Sequence, residues 1–150
     1  MSRYKYVVSA CLCGYPTRYD ACAKPAHPAL KALENSGEAL LVCPECMGGL
    51  PTPRPPAEIQ GDRVINTVGG DVTAQYVSGA EQVLALCQEH GIHTAILKQN
   101  SPSCGCRFVY DGTFSHTLVA GRGITAALLE AHGITVCDET DWQENTSASG

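Results

Sequence analysis

The chain has 150 residues, 44% of them apolar, enough for one domain with a real core and too few for two comfortable ones. Its formal charge is -5 and its ten Lys and Arg are scattered singly, so there is no basic stripe to neutralise phosphates, which argues against nucleic acid as a partner. No apolar run approaches the roughly 20 residues that span a bilayer, which excludes membrane insertion, and nine cysteines without a signal-like opening point to a reducing cytoplasm rather than to a disulfide framework.

In chain order, residues 4–9 form a β-rich run that leads into a polar loop bearing Gly and Pro. Residues 28–36 read as a helix with Leu30 and Leu33 on one face, closed by Gly37, and residues 39–42 as the next strand. The proline-rich stretch 51–56 reads as irregular, because proline removes donors and fixes φ. Residues 59–67 form a small hairpin turned at Gly61-Asp62. The strongest helix covers 72–90, with Val72, Tyr76, Ala80, Val83, Leu84 and Cys87 on one stripe, Asp71 as N-cap and Gly91 just past its end. Residues 94–97 are the third strand, and 108–115 a second hairpin turned at Asp111-Gly112. Both hairpins follow a cysteine-bearing loop, so they are read as flaps that wall a site. Residues 124–132 repeat the helix with Ile124, Leu128 and Ala131 inward and Gly133 as the stop, before a fourth strand at 134–137. The alternation predicts a single α/β domain over residues 1–140, with a mostly parallel, Rossmann-like sheet flanked by helices, hairpin insertions around the site, and a frayed polar tail over 141–150.

Cys11, Cys43 and Cys104 each lie just past one of the predicted strands. A parallel sheet brings the ends of such strands to one edge, where open α/β sheets place their chemistry. Three soft ligands at one spot suggest a metal centre with a coordination position left open, since closed structural sites normally use four. Three local pairs compete for the assignment: Cys11 with Cys13, Cys43 with Cys46, and Cys104 with Cys106. A zinc-binding structural module is therefore one alternative. A sulfur-trafficking or thiol-exchange protein is another, because Cys43-Pro44-Glu45-Cys46 has dithiol spacing; against it, such motifs start a helix, whereas here glycines and prolines follow. Cys87 and Cys137 read as buried thiols acting as small hydrophobes, and Cys22 is undecided.

Together, Ser9-Ala10-Cys11-Leu12-Cys13-Gly14, Arg18-Tyr19-Asp20, Cys43-Pro44-Glu45, Gly48-Gly49-Leu50 with Pro53-Arg54, Gly70-Asp71-Val72-Thr73, Leu97-Lys98 with Ser101-Pro102-Ser103-Cys104-Gly105, and Tyr110-Asp111-Gly112-Thr113-Phe114 resemble the thiouracil desulfidase family, bacterial iron–sulfur enzymes formerly catalogued as a domain of unknown function. The resemblance runs from the first strand to about Cys137, with the motifs in the family's order. It implies a [4Fe-4S] cluster held by Cys11, Cys43 and Cys104, whose remaining iron binds the substrate sulfur, and conversion of thiouracil to uracil and hydrogen sulfide without net redox chemistry. Glu45 and a serine of Ser101-Pro102-Ser103, with Ser101 the first choice, match the acid/base and water-handling positions. The chain departs from the common pattern at Cys13, where the family often has an apolar residue, and at Ala21, where glycine commonly follows.

The supporting residues also have plainer readings. Glu45 can cap or pair at a strand end, the serines flanking Pro102 can be turn residues, and Asp111-Gly112 reads as a turn rather than a catalytic carboxylate. Arg18 and Asp20 either pair with each other or meet the pyrimidine edge. His90 and His132 precede helix-ending glycines, where the dipole suits them, which leaves His116 as the histidine assigned to a substrate pocket. The acidic balance favours a small thiopyrimidine over a base within RNA as the substrate.

Overall fold

The structure, a computed structural model, describes residues 4–15, 26–52 and 54–140. Four short strands, β1 (Tyr6–Ser9), β2 (Ala39–Val42), β5 (Thr94–Leu97) and β8 (Thr135–Asp138), form one all-parallel sheet in the order β2-β1-β5-β8. Alternation along the strands divides the core, since neighbouring side chains point to opposite faces. Val7, Ala95 and Leu97 pack on one side with Val83 and Cys87 of α3 (Thr73–His90) and Leu129 of α4 (Ile124–Ala131). Val8 and Ile96 pack on the other with Leu12, Cys13 and Leu30, the last from α1 (Pro28–Asn35). Helices thus cover both faces, and the two central strands, β1 and β5, are buried on both sides, while the edge strands β2 and β8 are partly exposed.

Two antiparallel ribbons stand apart from this sheet: β3 (Ala57–Gln60) with β4 (Arg63–Asn66), and β6 (Phe108–Tyr110) with β7 (Leu118–Ala120). The first turns at Gly61, whose φ of 64° a side chain rarely adopts. The second differs from its expected form: Asp111-Gly112 opens a longer loop, closed by the Asp111 N–H bond to the Thr117 carbonyl, and the return strand lies at Leu118–Ala120. The Asp111 carboxylate accepts from the Thr113 N–H and hydroxyl, which folds the chain locally and defers strand pairing.

Three further corrections concern the helices. The inward residues of α4 are Thr125, Ala126 and Leu129, while Ala131 is exposed, because the Thr125 and Ala126 N–H groups both dock on the Ser103 carbonyl and set the helix rotation. The positional N-cap of α3 is Val72; Asp71 nevertheless accepts from the Thr73 N–H and hydroxyl. Pro44–Met47, expected as loop, forms a one-turn helix, α2, with proline at its first position, so the Cys43/Cys46 pair does open a helical turn. That turn lies unusually close to α3: a Cβ on Gly79 would meet the Pro44 carbonyl oxygen at 1.8 Å, and one on Gly48 the Gln75 carbonyl oxygen at 1.9 Å. Only glycine fits at either place, and the close approach brings Tyr76 of α3 within reach of Glu45 on α2.

Residues 16–25, including Arg18, Asp20, Ala21 and Cys22, and the tail 141–150 lie outside the described residues. Among the described residues, no helix is long and apolar enough to cross a membrane.

Candidate active site

The central strands place the three thiols. β1 lies between β2 and β5, so their carboxyl ends meet at one edge of the sheet. Cys11 sits in the 3₁₀ turn Ala10–Cys13 after β1, Cys43 directly after β2, and Cys104 in the loop after β5. All three line a cavity of about 460 Å³ that also takes in Glu45, Ser101 and His116. The competing cysteines lie elsewhere. Cys13 is 2% exposed in the core beside Leu30, Cys106 borders a small separate hollow with Asp138, and Cys46 turns its sulfur to the Thr52 hydroxyl at 3.4 Å. Cys87 is buried in the core, and Cys137 is half-buried with its thiol toward the Ala95 carbonyl.

Burial drives the thiol chemistry. It pushes the Cys43 thiol up to about 12 and raises Cys104 further, with nearby Glu45 and the other cysteines adding to the shift. Ser9, at the end of β1, opposes this at Cys104 by donating its hydroxyl to Sγ at 3.7 Å, and its oxygen accepts the Lys98 N–H at 3.0 Å. Thiols held this way become thiolates only when a cationic centre compensates them, which is what metal coordination supplies. Among the described residues, no three Cys, His, Asp or Glu side chains converge tightly enough to hold one metal ion. A single tetrahedral zinc needs its ligands within about 2.3 Å of one point, whereas a polynuclear cluster meets each thiolate at a different iron and tolerates wider spacing. Three thiols lining one cavity, where a closed structural zinc site takes four ligands, fit a cluster with one iron left open better than the zinc alternative.

Glu45 rises from the first turn of α2, and its two oxygens have different surroundings. Oε2 accepts from Tyr76 at 2.9 Å and from Arg54 Nη2 at 3.1 Å, while Oε1 faces the Ser101 hydroxyl at 3.4 Å. Arg54 is itself braced, its Nη1 donating to the Pro51 carbonyl and the Thr52 hydroxyl. The Arg54–Glu45 ion pair is largely removed from water, with side chains 5% and 15% exposed, so each partner depends on the other for charge compensation.

The two candidate serines separate cleanly. Ser103 is fully buried and bonds the Thr125 hydroxyl at 2.7 Å, which fixes α4 to the loop. Ser101 lines the cavity, and its oxygen accepts the N–H groups of Ser103 and Cys104, each at 3.1 Å. With both lone pairs engaged, the Ser101 hydroxyl faces Glu45 as a donor. The same atom thus shapes the loop that carries Cys104.

Glu58 is absent from the sequence reading, which has Arg54 only within the Pro53-Arg54 motif and Tyr76 only on the inner stripe of its helix. Tyr76 was counted as core, but a buried phenol needs a partner for its hydroxyl. Glu58 is 8% exposed, at a strand position whose alternation turns it inward. Its Oε1 accepts the N–H groups of Gly112 at 2.9 Å and Phe114 at 3.2 Å, across 54 and 56 residues of sequence. Asp111 bonds Thr113 within its own loop, the structural reading. His116 lines the cavity and packs edge-on against Tyr110, with centroids 6.3 Å apart. His90 packs on Tyr4, and His132 bonds the Leu128 carbonyl, both away from the cavity.

Residues 6–141 match the model of a family described as 2-thiouracil desulfurase. An uncharacterised Bacillus subtilis protein, YbbK, is 40% identical over 145 residues, 90% of this chain and 95% of that protein. A solved structure described as the [4Fe-4S]-dependent thiouracil desulfidase TudS superposes with a TM-score of 0.91 at 50% identity, covering 97% of each chain.

Proposed function

This chain belongs to the 2-thiouracil desulfurase family, and from that premise we propose that it converts thiouracil to uracil and hydrogen sulfide without net redox chemistry, using a [4Fe-4S] cluster held by Cys11, Cys43 and Cys104. The observation that carries the reading is the meeting of these three thiols, from neighbouring strand ends, with the Glu45–Ser101 pair in one cavity. Such a cluster supplies a soft Lewis acid with one iron lacking a protein ligand, suited to a thiocarbonyl sulfur over a carbonyl oxygen.

The remaining chemistry belongs to the chain. Arg54 and Tyr76 hold Oε2 of Glu45, which leaves Oε1 as the working oxygen. Oε1 accepts a proton from the water that attacks the thiocarbonyl carbon, and Glu45 returns it to the departing sulfur. Ser101 turns its hydroxyl from Oε1 to that water and fixes the line of attack. At 3.4 Å the Ser101–Glu45 contact is a long hydrogen bond, which a water that accepts from Ser101 can replace.

The test is anaerobic incubation of purified protein with 2-thiouracil in ¹⁸O-labelled water and no reductant. Uracil should form with the label at the former sulfur position, with hydrogen sulfide as co-product. Absolute dependence on an electron donor, unlabelled uracil, or no turnover by iron-loaded protein overturns the reading.

A further inference from the structure

The lining of the cavity contains an aromatic side chain with unusual backbone geometry. Phe114 lines the cavity, yet its φ is +58°, a region that bulky residues rarely occupy. Tyr110 and His116, its neighbours on the wall, pack against each other; Phe114 makes no ring contact of this kind among the described residues. Its backbone is held from outside the loop, because Oε1 of buried Glu58 accepts both the Gly112 and the Phe114 N–H. Gln60, on the same strand, adds a bond from Nε2 to the Gly112 carbonyl at 2.8 Å. A buried carboxylate spent on two backbone groups of a distant loop gives the protein no core packing. What it fixes is the direction in which Phe114 leaves the loop. Backbone strain held by surrounding structure at a ligand site is the pattern expected of a positioned recognition group.

We propose that Phe114 recognises the substrate ring by stacking on its face, and that Glu58 is the positioning residue that aims it. The inference rests on the proposed function in one respect, that the occupant is a planar thiopyrimidine. A flat heterocycle whose sulfur must reach the thiol end needs its plane set by the protein, and an aromatic face does this without reading the ring's substituents. Phe114 therefore governs ground-state binding of the ring, while Glu45 and Ser101 act on the thiocarbonyl.

The experiment titrates uracil, the unreactive product, into cluster-loaded protein by calorimetry and measures kcat and KM for 2-thiouracil on the same samples. Phe114→Ala should weaken uracil binding and raise KM by about 10- to 100-fold, with kcat and the cluster absorption little changed. Phe114→Tyr should restore binding and Phe114→Leu should not. Glu58→Ala should reproduce the KM effect of Phe114→Ala, and Glu58→Gln, which keeps an acceptor oxygen, should lie close to wild type. Wild-type affinity in Phe114→Ala, or full rescue by leucine, overturns the stacking role. Wild-type KM in folded Glu58→Ala, or a Glu58→Gln as weak as Phe114→Ala, overturns the positioning role. Failure of the wild-type protein to desulfurate any thiopyrimidine sinks the proposed function instead.

Discussion

At the sheet edge, Cys11, Cys43 and Cys104 follow strands tied into one four-stranded parallel sheet, whereas Phe114 and His116 hang from a two-stranded ribbon that, among the described residues, joins no larger sheet. The first region is held by many cooperating contacts: paired registers, helices on both faces, and side chains such as Val7, Val8 and Leu97 with no exposure to water. A two-stranded hairpin alone is marginal in water, and polar bonds from Glu58 and Gln60, with the Asn100–Val109 bridge, help to tie the second region to the rest. Groups that must not move belong to the sheet, and groups that select an occupant sit where changes cost the core little.

The comparison breaks most sharply at the thiols. Replacing Cys11, Cys43 or Cys104 singly by Ala should abolish the brown colour and the iron, roughly four per chain for a cubane, and all turnover with it. Cys13→Ala, Cys87→Ala and Cys106→Ala should retain iron and lose only packing stability. Iron analysis with a visible spectrum decides between them, and a full cluster in Cys104→Ala would falsify the assignment.

Next in size is Glu45. Glu45→Gln keeps the volume and a partner for Arg54, and should lower kcat by roughly 10²- to 10⁴-fold with the cluster intact, the usual contribution of a positioned proton-transfer group. Glu45→Ala is the poorer probe, since it strands a buried guanidinium at a cost of about 3–5 kcal/mol. Unaltered kcat in Glu45→Gln would make the carboxylate structural.

Ser101→Ala sharpens the boundary between chemistry and scaffold. It removes the donor facing Glu45 and the acceptor of two N–H groups in the Cys104 loop, so both kcat and the rate of iron loss to a chelator should change. Ser103→Ala should instead lower thermal stability and leave turnover alone, because its partner is Thr125 in the interior. Tyr76→Phe removes one hydrogen bond to a charged group, about 1.5–3 kcal/mol, and should cost at least tenfold in kcat if Oε2 must be held.

The smallest effect lies at the root of the first ribbon. Asp71 bonds Thr73 at the start of α3 and pairs with Arg63 of β4 at 2.7 Å, and these contacts, Thr73 foremost, hold its carboxyl near 2. Its folded-state pKa is depressed, so its contribution is present above the ordinary carboxylate range and is lost as pH falls toward 2. Asp71→Asn should therefore lower the melting temperature slightly at pH 7, and the difference from wild type should vanish in acid. A gap that persists at pH 2 would place the effect in packing rather than charge.

Periodicity alone determined the α/β alternation, the strand ends that carry Cys11, Cys43 and Cys104, and the helix-ending glycines, because each depends on residues within a few positions of one another. Even there, rotation of α4 was decided by the Ser103 carbonyl, a contact across 22 residues that no local pattern encodes. Sorting Ser101 from Ser103, and Cys11 from Cys13, required knowing which side of a loop faces the cavity and which the core. The brace on Glu45 joins residues 9 and 31 positions away, and the grip of Glu58 on the Phe114 loop spans 56. A hydrogen bond between distant residues leaves no periodic trace in the chain, so only the tertiary structure could decide which carboxylate oxygen is held by Arg54 and Tyr76 and which faces Ser101.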